Sequence, residues 1–328
     1  MGLFSKTIGI DLGTSNTLVF AKSSGVVLNE PSVVAIDKFE GGIVAVGSLA
    51  NEMIGKTPGN IIAVRPMKDG VIADFDITQS MIRRFIKQAD VGGILKPRVV
   101  VCVPSGVTGV EKRAVEEAVI TAGAKEVILI EESMAAALGA GLSVNDATAN
   151  MIVDIGGGTC EVAVISLGGI VASKSIKIAG DELDSSIINY IKKTHSLNIG
   201  ERMAEEIKIG IGNAYPKDGE EEMEVRGRDV LTGLPKQCVI TSSQIREAMS
   251  ENINRMIEAI KYTLENTPPE LASDIMENGM YISGGGALIH GLDRLIFDTL
   301  KIPVHIAENP LQCVVKGIDK FLDNKRII

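Results

Sequence analysis

The sequence is poor in the residue types that nucleic-acid binding requires. Its 328 residues contain no Trp, aromatic residues make up only 3%, and the formal net charge is −9. Proteins that bind single strands stack bases on aromatic side chains, and nucleic-acid surfaces carry clustered Lys and Arg. No such cluster stands out in this chain. We therefore predict that the protein does not bind nucleic acid.

Cysteine, histidine and long apolar runs are scarce as well. The four cysteines are far apart, without a CxxC pair, and the three histidines are scattered, so no zinc framework is expected. No uncharged stretch reaches the ~18–20 residues of a membrane-spanning helix. Reduced thiols and the lack of a signal peptide predict a cytoplasmic protein. Association with the membrane surface is compatible with these features.

Glycine, by contrast, is abundant: 35 residues, clustered just after apolar runs. Two segments share the order strand, Asp, apolar residue, Gly-containing turn, strand; they begin at residues 7 and 151, and a third apolar run follows each. This repeat predicts two similar domains that each open with a β-meander. The length exceeds one hydrophobic core, and the mixed order of elements predicts an α/β protein with helices covering two sheets.

Periodic apolar residues locate several elements between and after these repeats. An unbroken apolar run predicts a strand at 99–103 that is buried on both faces. The spacing predicts helices over 109–122, 183–193, 202–211 and 243–266, with Ser242 or Ser243 capping the last one. Another helix is expected from Leu288 onward, whereas 220–236 is charged, Gly-broken and at best strand-like.

Three Gly-rich turns follow apolar strands, at residues 13–15, 156–159 and 284–286. Such turns let backbone N–H groups approach phosphate oxygens without interference from a Cβ. One turn alone is equally well explained as a tight turn without function, but three favour phosphate binding. None is a GxxxxGK[ST] loop, and none is a GxGxxG motif that follows a strand, which disfavours a dinucleotide fold.

Carboxylates accompany these turns. Asp11 and Asp154 occupy equivalent positions in the two repeats, so their side chains would converge if the repeats face each other. Two carboxylates beside a polyphosphate suit a Mg²⁺ held largely through its waters; the alternative is that each Asp caps its own turn. Glu131 and Glu132 follow a predicted buried strand, where one of them could orient a water or simply stabilise a helix start.

These motifs together resemble the actin/DnaK/sugar-kinase ATPase superfamily. Within it, the whole chain resembles the MreB/Mbl family, through LNEPSVV at 28–34, KTPGN at 56–60, RPMKDGVIADF at 65–75, IGER at 199–202, LTGLP at 231–235 and TPPEL at 267–271. The resemblance implies an actin-like fold of two RNase H-like domains around a nucleotide cleft. It places subdomain IA at 1–31, 74–145 and 315–328, IB at 32–73, IIA at 146–180 and 244–314, and IIB at 181–243.

The resemblance also implies roles for individual residues, with ATP and Mg²⁺ as cofactors. Glu132 and Thr159 would position the attacking water, and Asp11 and Asp154 would serve the metal. The implied nucleotide contacts are Asp11, Gly13, Thr14, Ser15, Asn16, Gly156, Gly157, Gly158, Glu205, Glu206, Lys208, Gly284, Gly285, Gly286 and Ala287. Three positions depart from the family pattern: Ser133 stands where Pro is usual, Cys160 where a second Thr is common, and Ser15 where Ala is usual.

The function that the resemblance implies is an ATPase that polymerises into membrane-associated filaments and scaffolds the cell-wall elongation machinery for rod shape. The implied location is the cytoplasmic face of the inner membrane, contacted through Leu3 and Phe4 and through Ile94 and Leu95 of a hydrophobic insertion loop. The alternatives are another actin-like filament ATPase, which positions plasmids or organelles, or a DnaK-type nucleotide-binding module. The residues do not decide between ATP and GTP.

Overall fold

The computed structural model describes residues 7–22, 24–89, 96–216 and 218–323. The strands are β1 (Thr7–Leu12), β2 (Asn16–Ala21), β3 (Gly25–Pro31), β4 (Val34–Asp37), β5 (Ile43–Val46), β6 (Ile61–Val64), β7 (Met67–Lys68), β8 (Val71–Ile72), β9 (Arg98–Val103), β10 (Glu126–Glu131), β11 (Asn150–Ile155), β12 (Cys160–Ser166), β13 (Gly169–Ile176), β14 (Leu197–Asn198), β15 (Glu222–Asp229), β16 (Pro235–Thr241), β17 (Met280–Ser283) and β18 (Val304–Ile306). The α-helices are α1 (Ser48–Asn51), α2 (Phe75–Gln88), α3 (Gly109–Ala122), α4 (Glu132–Ala140), α5 (Gly180–His195), α6 (Glu201–Ile211), α7 (Ser242–Glu265), α8 (Pro269–Asn278), α9 (Leu292–Leu300) and α10 (Cys313–Asp323).

Two five-stranded sheets have the same topology, which confirms the predicted duplication. The first has the order β10-β9-β1-β2-β3 and the second β13-β12-β11-β17-β18. In each sheet an antiparallel meander of three strands is extended from its first strand by two parallel strands. Asp11 and Asp154 therefore occupy equivalent places, near the ends of β1 and β11. The α/β, actin-like fold class is confirmed.

The predicted double burial of residues 99–103 is also confirmed, since all five are buried and β9 lies between β10 and β1 inside the first sheet. Strands that are covered on both faces consist of continuous apolar runs, because neither face meets water. One core cluster joins residues from both sheets, with Val100 on one side and Ile152 and Ala163 on the other. Burial between the sheets thus holds the two halves of the molecule in register.

Helices α4 and α10 pack between the two sheets, and their backbones touch where they cross. A Cβ on Gly139 would overlap the carbonyl oxygen of Cys313, and a Cβ on Gly317 would overlap that of Ala135. Glycine is therefore required at this crossing, because any side chain would separate the helices. Since α4 begins at Glu132, the close packing also fixes where that carboxylate lies.

Several predicted boundaries were wrong. Helix α5 begins at Gly180, not at Leu183, and Thr241 rather than Ser242 or Ser243 caps α7, its hydroxyl accepting from the N–H of Gln244. Residues 222–241 form a regular hairpin of β15 and β16. No helix runs on from Leu288; a short 3₁₀ turn ends there, and α9 starts at Leu292.

Smaller sheets extend both halves beside the cleft: β5-β4-β6 on one half and β14-β15-β16 on the other. They fall inside the segments predicted as subdomains IB and IIB, whose boundaries stay a prediction. The proposed membrane contacts Leu3, Phe4, Ile94 and Leu95 lie outside the described residues. Within those residues, no helix is both long and apolar enough to cross a bilayer.

Candidate functional site

A cavity of about 620 Å³ lies between the two large sheets, and the three Gly-rich turns line it together. The first turn joins β1 to β2, the second joins β11 to β12, and the third follows β17. Of the residues predicted for the site, all but Glu206 and Ala287 line this cavity. The duplicated topology thus brings motifs that are far apart in the sequence to one place.

The first two turns face each other so closely that no side chain fits between them. A Cβ on Gly157 would overlap Ser15 Oγ, and a Cβ on Gly158 would lie 2.5 Å from Thr14 Oγ1. With no side chain in the way, a ligand can approach the backbone N–H groups of both turns closely. Convergent N–H groups of this kind form anion-binding concavities, so the turns fit a chain of phosphates.

Hydrogen bonds join the first turn to other parts of the cleft. Ser15 Oγ donates to Asp181 Oδ1 over 3.2 Å, and Thr14 Oγ1 accepts from the N–H of Gly70 at 2.9 Å. Asp181 lies in the first turn of α5 and lines the cavity, but the sequence analysis did not single it out. The available signal was an acidic residue directly after Gly180, since acids favour helix N-termini.

Three carboxylates converge on the cavity, and burial makes their ionised forms unfavourable. Burial, followed by the charge of Asp154, raises the pKa of Asp11 to about 7. Burial raises the pKa of Asp154 to about 6, although the Ser283 hydroxyl donates to its Oδ1 at 2.5 Å. The pKa of Glu132 rises well above its usual range, first by burial and then by the charges of Asp154 and Asp11.

This carboxylate cluster fits a cation that the protein alone does not fully enclose. In the described part of the chain, no three Asp, Glu, His or Cys side chains form a set that could hold a metal ion by themselves. Asp11 and Asp154 are close enough for one charge to shift the pKa of the other. Two carboxylates beside a phosphate site match Mg²⁺, which keeps most of its waters and takes phosphate oxygens as further ligands.

The structure separates the two adjacent glutamates at the end of β10. Glu132 is the first residue of α4 and lines the cavity. Glu131 precedes the helix, and its Oε2 accepts from the hydroxyl of Ser105 at 3.4 Å. Glu132 is therefore the better placed to meet a water inside the cleft. Thr159, buried on the second turn, lines the same cavity.

Residues from α6 form one side wall of the cavity. Lys208 Nζ donates to Asp184 Oδ2 at 2.8 Å and to the carbonyl of Gly180 at 3.0 Å, which ties α6 to the start of α5. Glu205 lines the cavity, whereas Glu206 is exposed and accepts from Arg202 Nε at 3.0 Å. Ala287 is buried in the apolar core of the second half. The assignment of Glu206 and Ala287 to the site remains a prediction.

The outer end of the cavity is apolar. Ile209, Leu288 and Leu311 line it, although 76%, 59% and 60% of their surfaces are exposed. The sequence analysis missed these residues, because an apolar residue at a cleft edge carries no motif. Large apolar side chains open to a cleft can cover the faces of a planar ring, while polar groups at the other end hold its charged portion.

Comparisons with known proteins agree with this architecture. The chain superposes on MreB 5 of Spiroplasma citri bound to AMPPNP with a TM-score of 0.93 at 40% identity, covering 97% of this chain and 96% of that one. It also matches the MamK double helical filament, with a TM-score of 0.84 at 21% identity over 98% and 99% of the two chains. The fold and the cleft therefore define an actin-like protein.

Sequence comparison identifies the family to which the chain belongs within the actin-like proteins. It is 53% identical to the cell shape-determining protein MreB of Escherichia coli (strain K12), covering 98% of this chain and 94% of that protein. It is 50% identical to the cell shape-determining protein Mbl of Bacillus subtilis (strain 168), over 98% and 97%. The family model described as MreB/Mbl protein matches residues 5–328. The chain belongs to the MreB/Mbl family.

Proposed function

We propose that the cleft binds ATP with Mg²⁺ and hydrolyses it. The observation that carries this proposal is the meeting of three Gly-rich turns and the carboxylates of Asp11, Glu132 and Asp154 in one cavity of about 620 Å³. The volume falls in the range of small-molecule sites, and the cavity offers an apolar end and an anion-binding end. Support also comes from the relatives from Spiroplasma citri, whose structures hold AMPPNP and ADP.

The proposed binding roles follow from the geometry. Backbone N–H groups of residues 13–15, 157 and 158 would donate to phosphate oxygens, while Asp11 and Asp154 would hold a hydrated Mg²⁺. The N–H of Gly156 already donates to the carbonyl of Thr159 at 2.9 Å. When bound, this cation neutralises charge on the phosphates and on the two carboxylates. The raised pKa values of Asp11 and Asp154 fit this role, because no cationic side chain in the described part of the chain lowers either pKa.

Hydrolysis needs a group that orients a water and accepts its proton. We assign this role to Glu132, because its carboxylate lies in the cavity and burial makes it a stronger base than an exposed glutamate. The hydroxyl of Thr159, on the second turn, is proposed to hold the same water. Each group sits on a different half of the molecule, so the water site is complete only while the two halves keep their spacing.

Steady-state phosphate release, measured beside equilibrium ATP binding, tests the assignment. Glu132→Ala is expected to lower release ~10²–10⁴-fold with little loss of affinity, since it removes a positioned base but no phosphate donor. Glu131→Ala is the matched control, and its rate should stay near that of wild type. Equal rates for Glu132→Ala and wild type would refute the role, and a loss confined to Glu131→Ala would move it by one residue.

At the level of the cell, we propose that the protein polymerises and supports rod shape. In this proposal, filaments lie at the cytoplasmic face of the inner membrane and scaffold the cell-wall elongation machinery. Support comes from the cell shape-determining relatives, which are 50% and 53% identical to this chain in sequence. Further support comes from the fold that the chain shares with a filament-forming protein. Electron microscopy of the purified protein on lipid, with ATP and Mg²⁺, is expected to show filaments, and their absence under all nucleotide conditions would contradict the proposal.

The proposed membrane contacts are Leu3, Phe4, Ile94 and Leu95. One buried apolar side chain contributes only ~1.5–3 kcal/mol, so a monomer should bind weakly, whereas a filament that repeats the site gains avidity. Liposome co-sedimentation should therefore require polymerisation. It should be lost when deletion of residues 1–4 is combined with Ile94→Ser and Leu95→Ser. If that variant sediments with liposomes like wild type, the contact lies elsewhere or in a partner.

A further inference from the structure

Ser105 occupies an unusual place behind the candidate water site. It lies two residues past the end of β9 in the first half of the molecule and is 5% exposed. Its backbone N–H donates to Oε2 of Glu161 at 3.0 Å, and Glu161 belongs to β12 in the second half. Its hydroxyl lies 2.9 Å from that of Ser133 in α4. One small residue therefore touches both halves.

The two partners of Ser105 adjoin the two residues assigned to the water. Ser133 directly follows Glu132, and Glu161 lies two residues after Thr159. Ser133 and Glu161 are fully buried, and the Ser175 hydroxyl holds the second oxygen of the Glu161 carboxylate. The sites of Glu132 and Thr159 are thus linked through Ser105 by hydrogen bonds from which solvent is excluded.

The hydroxyl pair can form a chain of hydrogen bonds that ends at the start of α4. Each serine hydroxyl carries one proton. If Ser105 donates to Glu131 Oε2 at 3.4 Å, the Ser133 proton is directed to Ser105 Oγ. The start of α4 is then held at Glu131 and Ser133, the two residues that flank Glu132. A buried hydrogen bond of this kind costs most when only one partner is removed.

Position 133 is where the family resemblance leads one to expect proline. Ser133 is the second residue of α4, and in this first turn a backbone N–H has no intrahelical acceptor. Proline is tolerated there and fixes φ by its ring. Serine lacks that restraint, but its hydroxyl makes a bond that proline cannot make. In this chain, the hydrogen bond of the Ser133 hydroxyl thus takes the place of the backbone restraint that a proline ring would provide.

We propose that Ser105, through Ser133 and Glu161, is a positioning residue that sets Glu132 against Thr159 for hydrolysis. None of the three contacts the reacting atoms in this proposal; they act by holding the two segments that do. The inference rests on the proposed ATPase function. It predicts that the hydroxyl pair matters for kcat and not for nucleotide affinity.

The test is a double-mutant cycle read by phosphate release and by equilibrium binding of ATP with Mg²⁺. Ser105→Ala and Ser133→Ala are each expected to lower kcat about three- to tenfold, the effect of one buried hydrogen bond, with affinity within about twofold of wild type. Because both remove the same bond, the double variant should be no slower than the slower single variant. Ser143→Ala, at an exposed serine outside this network, is the matched control.

The Ser133→Pro variant provides a second, independent test, which does not depend on the alanine variants folding well. Ser133→Pro should keep kcat close to that of wild type, and in that background Ser105→Ala should lose most of its effect. A purely structural role would lower stability in every background and leave this rescue absent. Unchanged kcat in both single variants, multiplicative effects in the double variant, or no rescue by proline would each overturn the inference. No phosphate release from wild type would overturn the proposed function as well.

Discussion

Replacing Asp154 with Asn is expected to stabilise the ligand-free protein while weakening its binding of Mg²⁺ and ATP. Asp154 is 3% exposed, and the Ser283 hydroxyl donates to its Oδ1 at 2.5 Å. Asparagine keeps that acceptor oxygen and the side-chain shape, but it removes the buried charge. The substitution therefore isolates the free energy of carrying an ionised carboxylate in this cavity.

The magnitude follows from the pKa. Burial raises the pKa of Asp154 from 3.8 to about 6, and each pKa unit corresponds to about 1.4 kcal/mol of free energy. Ionisation of Asp154 thus lowers the free energy of unfolding by about 3 kcal/mol at pH 7.5. The sign follows from proton binding: between pH 3.8 and 6 the folded state holds the proton and the unfolded state releases it, so stability falls as pH rises.

Urea unfolding in EDTA measures this directly. At pH 7.5 Asp154→Asn should be more stable than wild type by about 3 kcal/mol. At pH 5 the difference should be roughly half as large, because pH 5 lies about midway between the pKa of Asp154 in the unfolded state, 3.8, and that in the folded state, about 6. Glu117→Gln, at an exposed carboxylate on α3, is the control and should change little at either pH. A variant less stable than wild type at pH 7.5, or a difference independent of pH, would refute the reasoning.

Two glycine substitutions test the close approaches at the site and behind it. Gly157→Ala should push the two phosphate turns apart, because its Cβ overlaps Ser15 Oγ, and titration should show ATP affinity reduced at least about tenfold; unchanged affinity would contradict the geometry. Gly317→Ala should destabilise the fold by about 1–3 kcal/mol in urea unfolding, because its Cβ overlaps the carbonyl oxygen of Ala135, whereas Gly109→Ala, with open space around it, should not.

The features of the fold that could be predicted from the sequence are those that leave a clear local pattern, such as a motif that occurs twice or a continuous apolar run. An Asp and a Gly after an apolar strand occur at equivalent places in both sheets, since each β-meander needs a tight turn and each site a carboxylate. Asp11 and Asp154 were found for that reason. The apolar run at 99–103 was equally informative, because an interior parallel strand that is covered on both sides has no polar face.

The rest depended on contacts that local pattern does not encode. The start of α5 was placed too late because its first turn is acidic rather than apolar, although acids suit a helix N-terminus. The hairpin of β15 and β16 was obscured because Val225 and Ile240 are its only fully buried residues, so its strands carry no continuous apolar pattern. Asp181 and the Ser105–Ser133 pair became visible only when distant segments were brought together.

The most direct test of the central claim, that this cleft is a Mg²⁺–ATP site, is an equilibrium titration of the purified protein with ATP, in Mg²⁺ and in EDTA. We predict saturable binding that is markedly tighter with Mg²⁺, because the cation would stabilise the ionised carboxylates of Asp11 and Asp154, which burial otherwise disfavours. The same titration with GTP would show which base the apolar end of the cavity prefers. Absence of ATP binding, or an affinity that is the same with and without Mg²⁺, would contradict the account.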